Sequence, residues 1–222
     1  MDSPLISCLC VTHNKPKILT CAIKCFERQT YENKQLIIVY DESDIEKTSF
    51  LKKERFCGNI KIVPVNLLEQ KNNIGILRNI SIRESDGEYI CIWDDDDWYD
   101  IDRLEIQFQQ IRMSKKKGSV LSRIIIYNSL NNKSYLSYPR LWEGTLVCTH
   151  ELMISNPYPE LKIHEDTPII KKLYSIDVLT IINNHPELYI YNYHANNTCN
   201  KKHFDLIFEN SIELNIDYCK RG

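Results

Sequence analysis

The sequence lacks the glycine-rich loops with which many nucleotide-binding proteins hold phosphate groups. Its 222 residues contain only 6 glycines, and neither a G-x-x-x-x-G-K-[ST] loop nor a G-x-G-x-x-G turn is present. Their absence disfavours P-loop chemistry and dinucleotide cofactors bound on a Rossmann turn. If a nucleoside diphosphate binds here, a divalent cation and a basic side chain have to hold its phosphates.

The chain also lacks an excess of one charge and a long apolar segment. It carries 28 basic and 30 acidic residues, so nothing in its net charge of −2 draws it to nucleic acid or to an anionic membrane. No apolar run approaches the roughly 20 residues of a spanning helix, and the first residues lack a signal-peptide pattern. The 9 cysteines are an odd number and scattered, which indicates reduced thiols. We expect a cytoplasmic protein without a transmembrane segment or a nucleic-acid partner.

An acidic run follows a short apolar segment in the middle of the chain. Residues 90–93 read Ile-Cys-Ile-Trp, which is typical of a buried strand, and Asp94, Asp95, Asp96 and Asp97 follow directly. Carboxylates at this density repel each other unless a cation neutralises them, and oxygen ligands suit Mg²⁺, Mn²⁺ or Ca²⁺. A solvated acidic turn is the simpler interpretation. Because ligands bind just outside the carboxyl ends of strands in open α/β sheets, the sequence favours a divalent-cation site.

Strands and helices alternate in the first half of the sequence. This order predicts an α/β fold with a central, mostly parallel sheet flanked by helices. The predicted strands there cover residues 5–11, 35–40, 59–64 and 88–93, with helices over residues 17–28 and 76–82. A helix over residues 101–114 leads into a mixed second half, with strands at residues 119–129, 134–137, 144–148, 179–183 and 188–193. With no repeat and no linker, we predict a single domain over residues 1–222.

Polar side chains recur where the predicted parallel strands end. Thr12 and Asn14 follow the first strand, Asp41 follows the second, and Asp94 follows the fourth. Adjacent strands of one sheet would bring these side chains together, although each alone is an ordinary turn former. Arg78 is a candidate for holding phosphate groups, and an exposed helix arginine is an equally good interpretation from the residues alone.

The order of these motifs resembles that of family 2 glycosyltransferases, which have the GT-A fold. Residues 6–16 resemble the family's opening strand and P-T-Y-N-R loop, residues 35–44 its strand with a D-D-G-S turn, and residues 73–79 its G-x-x-x-A-R-N helix start. Residues 87–98 resemble its G-E-Y-I strand with a D-x-D-D-W motif, residues 164–166 its late E-D pair, and residues 191–198 its closing Y-R-x-H segment. Val11 replaces the proline, Leu77 replaces the alanine, and the acidic turn has Glu42 and no glycine. These departures weaken the assignment of the nucleotide pocket, but none of them is at a residue proposed as a ligand.

The resemblance implies a role for each matching position. Nucleotide-binding residues would be Thr12, Asn14, Asp41, Arg78, Asp94 and Asp95. Asp96 and His194 would ligate Mn²⁺ or Mg²⁺, although a structural histidine is an equally good interpretation of His194. The donor sugar would contact Trp142, Glu143 and Gly144. Asp166 would be the general base, and the simpler interpretation is a helix N-terminal acid favoured by the dipole.

The activity implied is an inverting transfer from a nucleotide-diphosphate sugar to a saccharide or glycoconjugate hydroxyl. Residues 1–100 would form a nucleotide-binding half, residues 101–200 an acceptor-binding half, and residues 201–222 a C-terminal tail. A UDP-sugar is favoured because Asp41 would accept the N3–H of uracil. A nucleotidyltransferase on a related sheet and a non-catalytic nucleotide- or cation-binding module are the alternatives. The first would need a basic glycine-rich loop, and the second would not need both the acidic run and Asp166.

Overall fold

Strands and helices alternate in the first half of the chain, as the sequence predicts. The computed structural model describes residues 3–12, 16–43, 51, 59–66, 73–194, 197 and 201–215. Its strands are β1 (Ile6–Thr12), β2 (Lys34–Asp41), β3 (Ile60–Val65), β4 (Tyr89–Ile92), β5 (Trp98–Tyr99), β6 (Gly118–Leu121), β7 (Ile125–Asn128), β8 (Lys133–Leu136), β9 (Val147–Thr149), β10 (Leu179–Ile182), β11 (Tyr189–Tyr193) and β12 (Ile212–Leu214). The helices with defined bounds are α1 (Pro16–Glu27), α2 (Ile74–Arg83), α3 (Arg103–Ser114), α4 (His150–Ile154), α5 (Asp166–Ser175) and α6 (Lys201–Glu209).

The central sheet has seven strands in the order β10-β6-β9-β4-β1-β2-β3. Strand β9 runs antiparallel to both of its neighbours, and the other paired strands are parallel. The predicted mostly parallel sheet is therefore confirmed. Its central strands are buried on both faces, which explains why they are near-continuous apolar runs.

Helices cover both faces of this sheet, and alternate residues of β1 show why. Ile6, Cys8 and Cys10 belong to one apolar cluster with Phe26 of α1. Leu9, on the opposite face, belongs to a second cluster with residues of α2 and α5. Because successive strand side chains point to opposite faces, one strand contributes to two cores. This two-sided packing holds the strand ends at a fixed edge.

A second, smaller sheet has five strands in the order β12-β8-β7-β11-β5. The prediction of one strand over residues 119–129 is wrong, because β6 ends at Leu121 in the first sheet and β7 begins at Ile125 in the second. All residues from 118 to 128 except Arg123 are buried, so no change of polarity marks the crossing. The strand predicted at residues 144–148 begins later, because a 3-10 turn occupies Glu143–Thr145.

None of the helices in the described parts of the chain combines the length and the apolar character needed to cross a bilayer.

Candidate active site

Three strand ends meet at one edge of the first sheet. Strand β1 lies between β4 and β2 and is parallel to both, so Thr12, Asp41 and the acidic run are neighbours. The Thr12 hydroxyl donates a hydrogen bond to the Asp95 carboxylate. The Oδ1 atom of Asp41 accepts the backbone N–H of Ser43 at 2.9 Å. Asn14 lies outside the described residues.

The last carboxylate of the acidic run binds the protein itself. Asp97 is 1% exposed and accepts the Tyr189 hydroxyl and, at 2.8 Å, the backbone N–H of Asn192. Burial, then the charges of Asp96 and Asp94, raise the pKa of Asp97 well above its usual value. Because both of its contacts are on β11, Asp97 attaches the second sheet to the acidic run.

Asp96 and His194, the two residues that the family resemblance implies as metal ligands, are in contact with each other. The His194 Nε2 atom lies 3.2 Å from Asp96 Oδ2, and the Asn197 side chain accepts the His194 backbone N–H at 2.6 Å. Among the described residues, no group of three or more histidine, cysteine, aspartate or glutamate side chains is arranged to hold a metal. Mg²⁺ is commonly held by one or two carboxylates together with substrate phosphates and water, and Asp96 supplies one such carboxylate.

Arg78 links the acidic run to the segment that carries the predicted base. Its Nε donates to Glu165 Oε1 at 2.8 Å, and its Nη2 donates to Asp94 Oδ1 at 3.0 Å. Burial alone would lower the pKa of Arg78, but the charges of Asp94 and Glu165 raise it well above its usual value. The guanidinium is therefore a permanent cation between two carboxylates, and Arg78 is not the exposed helix arginine that the simpler interpretation expects.

Helix α2 holds that segment at two further points. The Asn79 side chain exchanges two hydrogen bonds of 2.8 Å with the backbone of Tyr158. The backbone N–H of Gly75 donates to Leu161 at 3.1 Å, and a Cβ at Gly75 would overlap the carbonyl oxygen of Pro159. Only glycine allows this close approach of the two backbones. One face of α2 therefore fixes the chain that runs into α5.

Asp166 begins α5 and has surroundings that differ from those of Glu165. Glu165 is 4% exposed and paired with Arg78. Asp166 is partly exposed and faces the cavity, with Oδ1 at 3.4 Å from the Thr167 hydroxyl. The same hydroxyl lies 3.2 Å from Glu143 Oε1, and Arg140 pairs with Glu143 at 2.6 Å. A hydrogen-bonded cluster thus connects Asp166 to the turn at Glu143–Thr145.

That turn lies directly beside the acidic run. A Cβ at Gly144 would approach Asp94 Oδ2 to 3.1 Å and the Tyr189 hydroxyl to 2.8 Å. The Gly144 carbonyl accepts Nη2 of Arg103, a fully buried guanidinium that also binds the Ile92 carbonyl at 3.1 Å. Trp142, just before the turn, is 7% exposed. Arg103 therefore holds the residues assigned to the donor sugar against the end of β4.

A cavity of about 720 Å³ unites these groups. Its lining contains every described residue assigned to the site except His194, namely Thr12, Asp41, Arg78, Asp94, Asp95, Asp96, Trp142, Glu143, Gly144 and Asp166. His194 reaches the site through its contact with Asp96. The opposite wall comes from the second sheet and α6, with residues such as Ile126, His203 and Phe204. The volume is within the range of small-molecule sites.

Sequence reasoning missed several residues that build this site. Asn79 is the last residue of the motif that resembles the G-x-x-x-A-R-N helix start, and its place in that motif could have indicated a role in the site. Tyr189 and Arg103 belong to segments that read as ordinary strand and helix, and nothing in their neighbours indicates a buried contact. Thr167 follows the predicted base directly, so its proximity to Asp166 could have been inferred from position alone.

The architecture, with an acidic run at the carboxyl edge of a mostly parallel sheet and a mixed second sheet closing a cavity, is the GT-A fold. The model of the family described as "Glycosyl transferase family 2" matches residues 7–169, which is well over half of the chain. The chain belongs to this family. The predicted family and fold are thereby confirmed.

Individual relatives are more distant. The chain is 33% identical over 121 residues to the amylovoran biosynthesis glycosyltransferase AmsB of Erwinia amylovora, a match that covers 54% of this chain and 39% of that protein. It is 23% identical over 179 residues to an Escherichia coli enzyme, the UDP-Glc:alpha-D-GlcNAc-diphosphoundecaprenol beta-1,3-glucosyltransferase WfgD, covering 75% of this chain and 68% of that protein. The match thus spans less than half the length of AmsB.

A solved structure shares the fold. The crystal structure of S. aureus TarS 1-349 in complex with UDP-GlcNAc superposes with a TM-score of 0.71 at 18% sequence identity. The match covers 86% of this chain and 59% of that chain. At this identity the likeness establishes the common fold alone.

Proposed function

We propose that this chain transfers a sugar from a nucleotide-diphosphate sugar, most favourably a UDP-sugar, to a hydroxyl of a saccharide or glycoconjugate acceptor, with inversion at the anomeric carbon. The observation that carries the proposal is the shared cavity, which places the acidic run on one wall and Asp166 on another. Family membership supports the reaction class. The names of two similar proteins, one with UDP-Glc and one in complex with UDP-GlcNAc, support the choice of nucleotide.

The nucleotide is proposed to bind at the three strand ends, on Thr12, Asn14, Asp41, Arg78, Asp94 and Asp95. Asp41 is buried, and its Oδ1 already accepts one backbone N–H, which leaves Oδ2 available to accept the N3–H of uracil. Trp142, Glu143 and Gly144 are proposed to contact the donor sugar, because all three line the cavity and Gly144 lies beside Asp94.

A Mn²⁺ or Mg²⁺ ion is proposed to bind Asp96 and His194. When bound, the ion supplies Lewis-acid stabilisation of the charge that develops on the departing diphosphate. The two side chains are in contact; Asp96 follows β4 of the first sheet, and His194 follows β11 of the second. Two protein ligands leave most of the coordination shell to phosphate oxygens and water.

Asp166 is proposed as the general base. An inverting displacement needs a carboxylate that takes the proton of the attacking hydroxyl on the face opposite the leaving group. Both adjacent acids line the cavity, but Glu165 is buried and held by Arg78, whereas Asp166 is partly exposed and lies beside the Thr167 hydroxyl. We further propose that the chain is a single domain in which residues 1–100 bind the nucleotide, residues 101–200 bind the acceptor, and residues 201–222 form a C-terminal tail.

The experiment is an assay of nucleoside diphosphate release from a panel of nucleotide sugars, with and without Mn²⁺, using simple glycosides as acceptors. The expected result is release of UDP that depends on acceptor and metal, together with a glycoside product of inverted configuration identified by NMR. Pyrophosphate release from a nucleoside triphosphate would indicate a nucleotidyltransferase. Binding of nucleotide without release from any donor would indicate a non-catalytic module.

A further inference from the structure

We infer that Arg78 is a positioning residue, which sets the geometry of the base segment relative to the donor site by bridging Asp94 and Glu165. The inference rests on the proposed function and deepens it. Arg78 donates to Glu165 at 2.8 Å and to Asp94 at 3.0 Å through different nitrogens. These two carboxylates lie far apart in the sequence, one at the end of β4 and the other immediately before Asp166.

Burial makes this bridge stiffer than a surface ion pair. The side chains of Arg78 and Glu165 are 11% and 5% exposed, so water competes little with their contact. For comparison, Lys61 Nζ and Glu84 Oε2 lie at a similar distance, 2.9 Å, but these two side chains are 40% and 43% exposed. Exposed pairs of this kind contribute little, whereas breaking a buried pair leaves an uncompensated charge.

The shape of the guanidinium matters as much as its charge. Nε and Nη2 are both used, and Nη1 is buried without a hydrogen-bond partner among the described residues. A planar fork with fixed angles orients two carboxylates at once, which the single ammonium of lysine does not do. The Arg78 side chain also lies over the Tyr158 ring, 5.8 Å from its centroid, at the start of the same segment.

The consequence for the reaction concerns where Asp166 lies. Asp166 is one residue beyond Glu165 and is the first residue of α5. The residue before the pair, His164, has a φ of 61°, a left-handed conformation that is uncommon for a non-glycine residue and that the surrounding structure has to maintain. Holding Glu165 by its side chain fixes the chain just after this turn, and with it the direction of the Asp166 carboxylate.

The test uses Arg78→Lys, Glu165→Gln and the double variant, with Glu84→Gln as the matched control from the exposed pair. Hydrogen–deuterium exchange of peptides covering residues 158–167 reports the position of the segment independently of activity. Steady-state kinetics with donor and acceptor then separate kcat from the KM of the donor. If Arg78→Lys fails to fold, Glu165→Gln, which keeps the side-chain shape, carries the same measurements.

In both single variants we expect exchange over residues 158–167 to rise by about tenfold or more, as local opening becomes easier. We expect kcat to fall by about 10- to 100-fold in both, the effect of a misplacement of about 1 Å. The donor KM should stay nearly unchanged in Glu165→Gln, whereas Arg78→Lys also alters a proposed nucleotide contact and is expected to raise it. The double variant should lose no more than the larger single loss, because both changes break one interaction. Glu165→Gln should keep the acidic limb of the pH–rate profile, and Glu84→Gln should behave as the unmodified protein.

Three results would overturn the inference. One is a raised donor KM with unchanged kcat and exchange in Arg78→Lys, which would make Arg78 solely a nucleotide ligand. Another is loss of the acidic limb in Glu165→Gln, which would make Glu165 the base. A third is unchanged hydrogen–deuterium exchange over residues 158–167 in both variants, when the unmodified protein does transfer sugar. By contrast, raised exchange in a protein that transfers no sugar would refute the proposed function and leave the positioning role standing.

Discussion

At the scale of single residues, adjacent acids in this chain have opposite surroundings. Both Glu165 and Asp166 line the cavity, but Glu165 is buried against a guanidinium and Asp166 is partly exposed. Asp96 touches an imidazole, while Asp97 is enclosed by groups of β11. Position in the sequence therefore does not assign roles within either acidic pair. Substituting each member of a pair separately distinguishes the acids that bind ligands or take part in the chemistry from the acids that stabilise the structure.

Asp166→Asn should abolish most transfer while leaving ligand binding intact. The amide keeps the shape of the side chain but does not accept the proton of an acceptor hydroxyl, so kcat should fall by roughly two to four orders of magnitude. The affinity for UDP, measured by calorimetry, should barely change because Thr12 and Asp41 lie on other elements. Near-normal kcat in this variant would show that another group is the base.

Asp97 should matter for stability. Asp97→Ala leaves the Tyr189 hydroxyl and the Asn192 N–H without their acceptor in a buried site, at a cost of about 2–4 kcal/mol of unfolding free energy. Asp97→Asn keeps an acceptor oxygen and should lose less. Chemical denaturation of both variants measures the difference. An Asp97→Ala protein as stable as the unmodified one would contradict a structural role.

At the scale of elements, α2 acts as a clamp and α6 as a wall. Helix α2 holds the segment before α5 through Gly75, Arg78 and Asn79, all on one face. Helix α6 closes the cavity with His203 and Phe204, and the Phe204 ring lies 4.5 Å from that of Tyr193. We therefore expect substitutions in the two helices to have different effects, a loss of kcat for α2 and a change in stability for α6.

Gly75→Ala should impair catalysis through the clamp. The added Cβ overlaps the Pro159 carbonyl, so the segment has to move away from α2, and we expect kcat to fall by at least about tenfold. Arg83→Ala is the control, because Arg83 is exposed in the last turn of the same helix. If both variants keep normal kcat, the approach of the two backbones is not needed for the reaction.

His203 should make the protein less stable in mild acid. Burial, then the charges of Arg140 and His164, lower the pKa of His203 in the folded state, although Glu143 opposes the shift. The unfolded chain therefore binds a proton first as the pH falls below the usual histidine value of 6.5, and the unfolding free energy decreases until the folded state is protonated as well.

His203→Gln removes this titration. We expect the loss of unfolding free energy between about pH 7.5 and about pH 5.5 to be smaller in this variant than in the unmodified protein. Lys202→Gln, on the exposed side of the same helix, is the control for a polar substitution. Equal pH dependence in all three proteins would show that His203 does not contribute.

Local pattern predicted much of the fold and only part of the site. Strands β1, β2 and β4 were found because central parallel strands are continuous apolar runs. The split between β6 and β7 was missed because the crossing itself is buried. The Arg78–Glu165 contact joins residues that lie 87 positions apart, and no local period encodes such a pairing. The roles assigned to single site residues rest on family resemblance and stay predictions.

At the scale of the whole molecule, the proposed metal site joins the two sheets. Asp96 follows β4 of the first sheet, and His194 follows β11 of the second. Two protein ligands are too few for tight binding, so affinity for Mn²⁺ should be weak alone and should rise when UDP supplies phosphate oxygens. Calorimetric titration with and without UDP measures this. Tight binding without nucleotide would contradict the proposed site.

Asp96→Ala should remove the effect of UDP on metal binding. The affinity of this variant for Mn²⁺ should be equally weak in the presence and absence of nucleotide, because the carboxylate between the sheets is gone. Asp205→Ala, an exposed carboxylate on α6, is the control and should retain the effect. If Asp96→Ala binds metal as the unmodified protein does, the ligand is another carboxylate of the acidic run.

The order of strands in the first sheet bears on how the chain is made by the ribosome. Strands β1 to β4 can pair once residue 92 has left the exit tunnel, but the outer edge of β4 pairs with β9, which begins at Val147. Strand β6, in turn, is flanked by β9 and by β10, which ends at Ile182. During the intervening synthesis the nascent sheet carries an uncovered central edge, the kind of surface to which other chains add strands. Yield in a cell should therefore depend on translation speed and on chaperones that shield this edge.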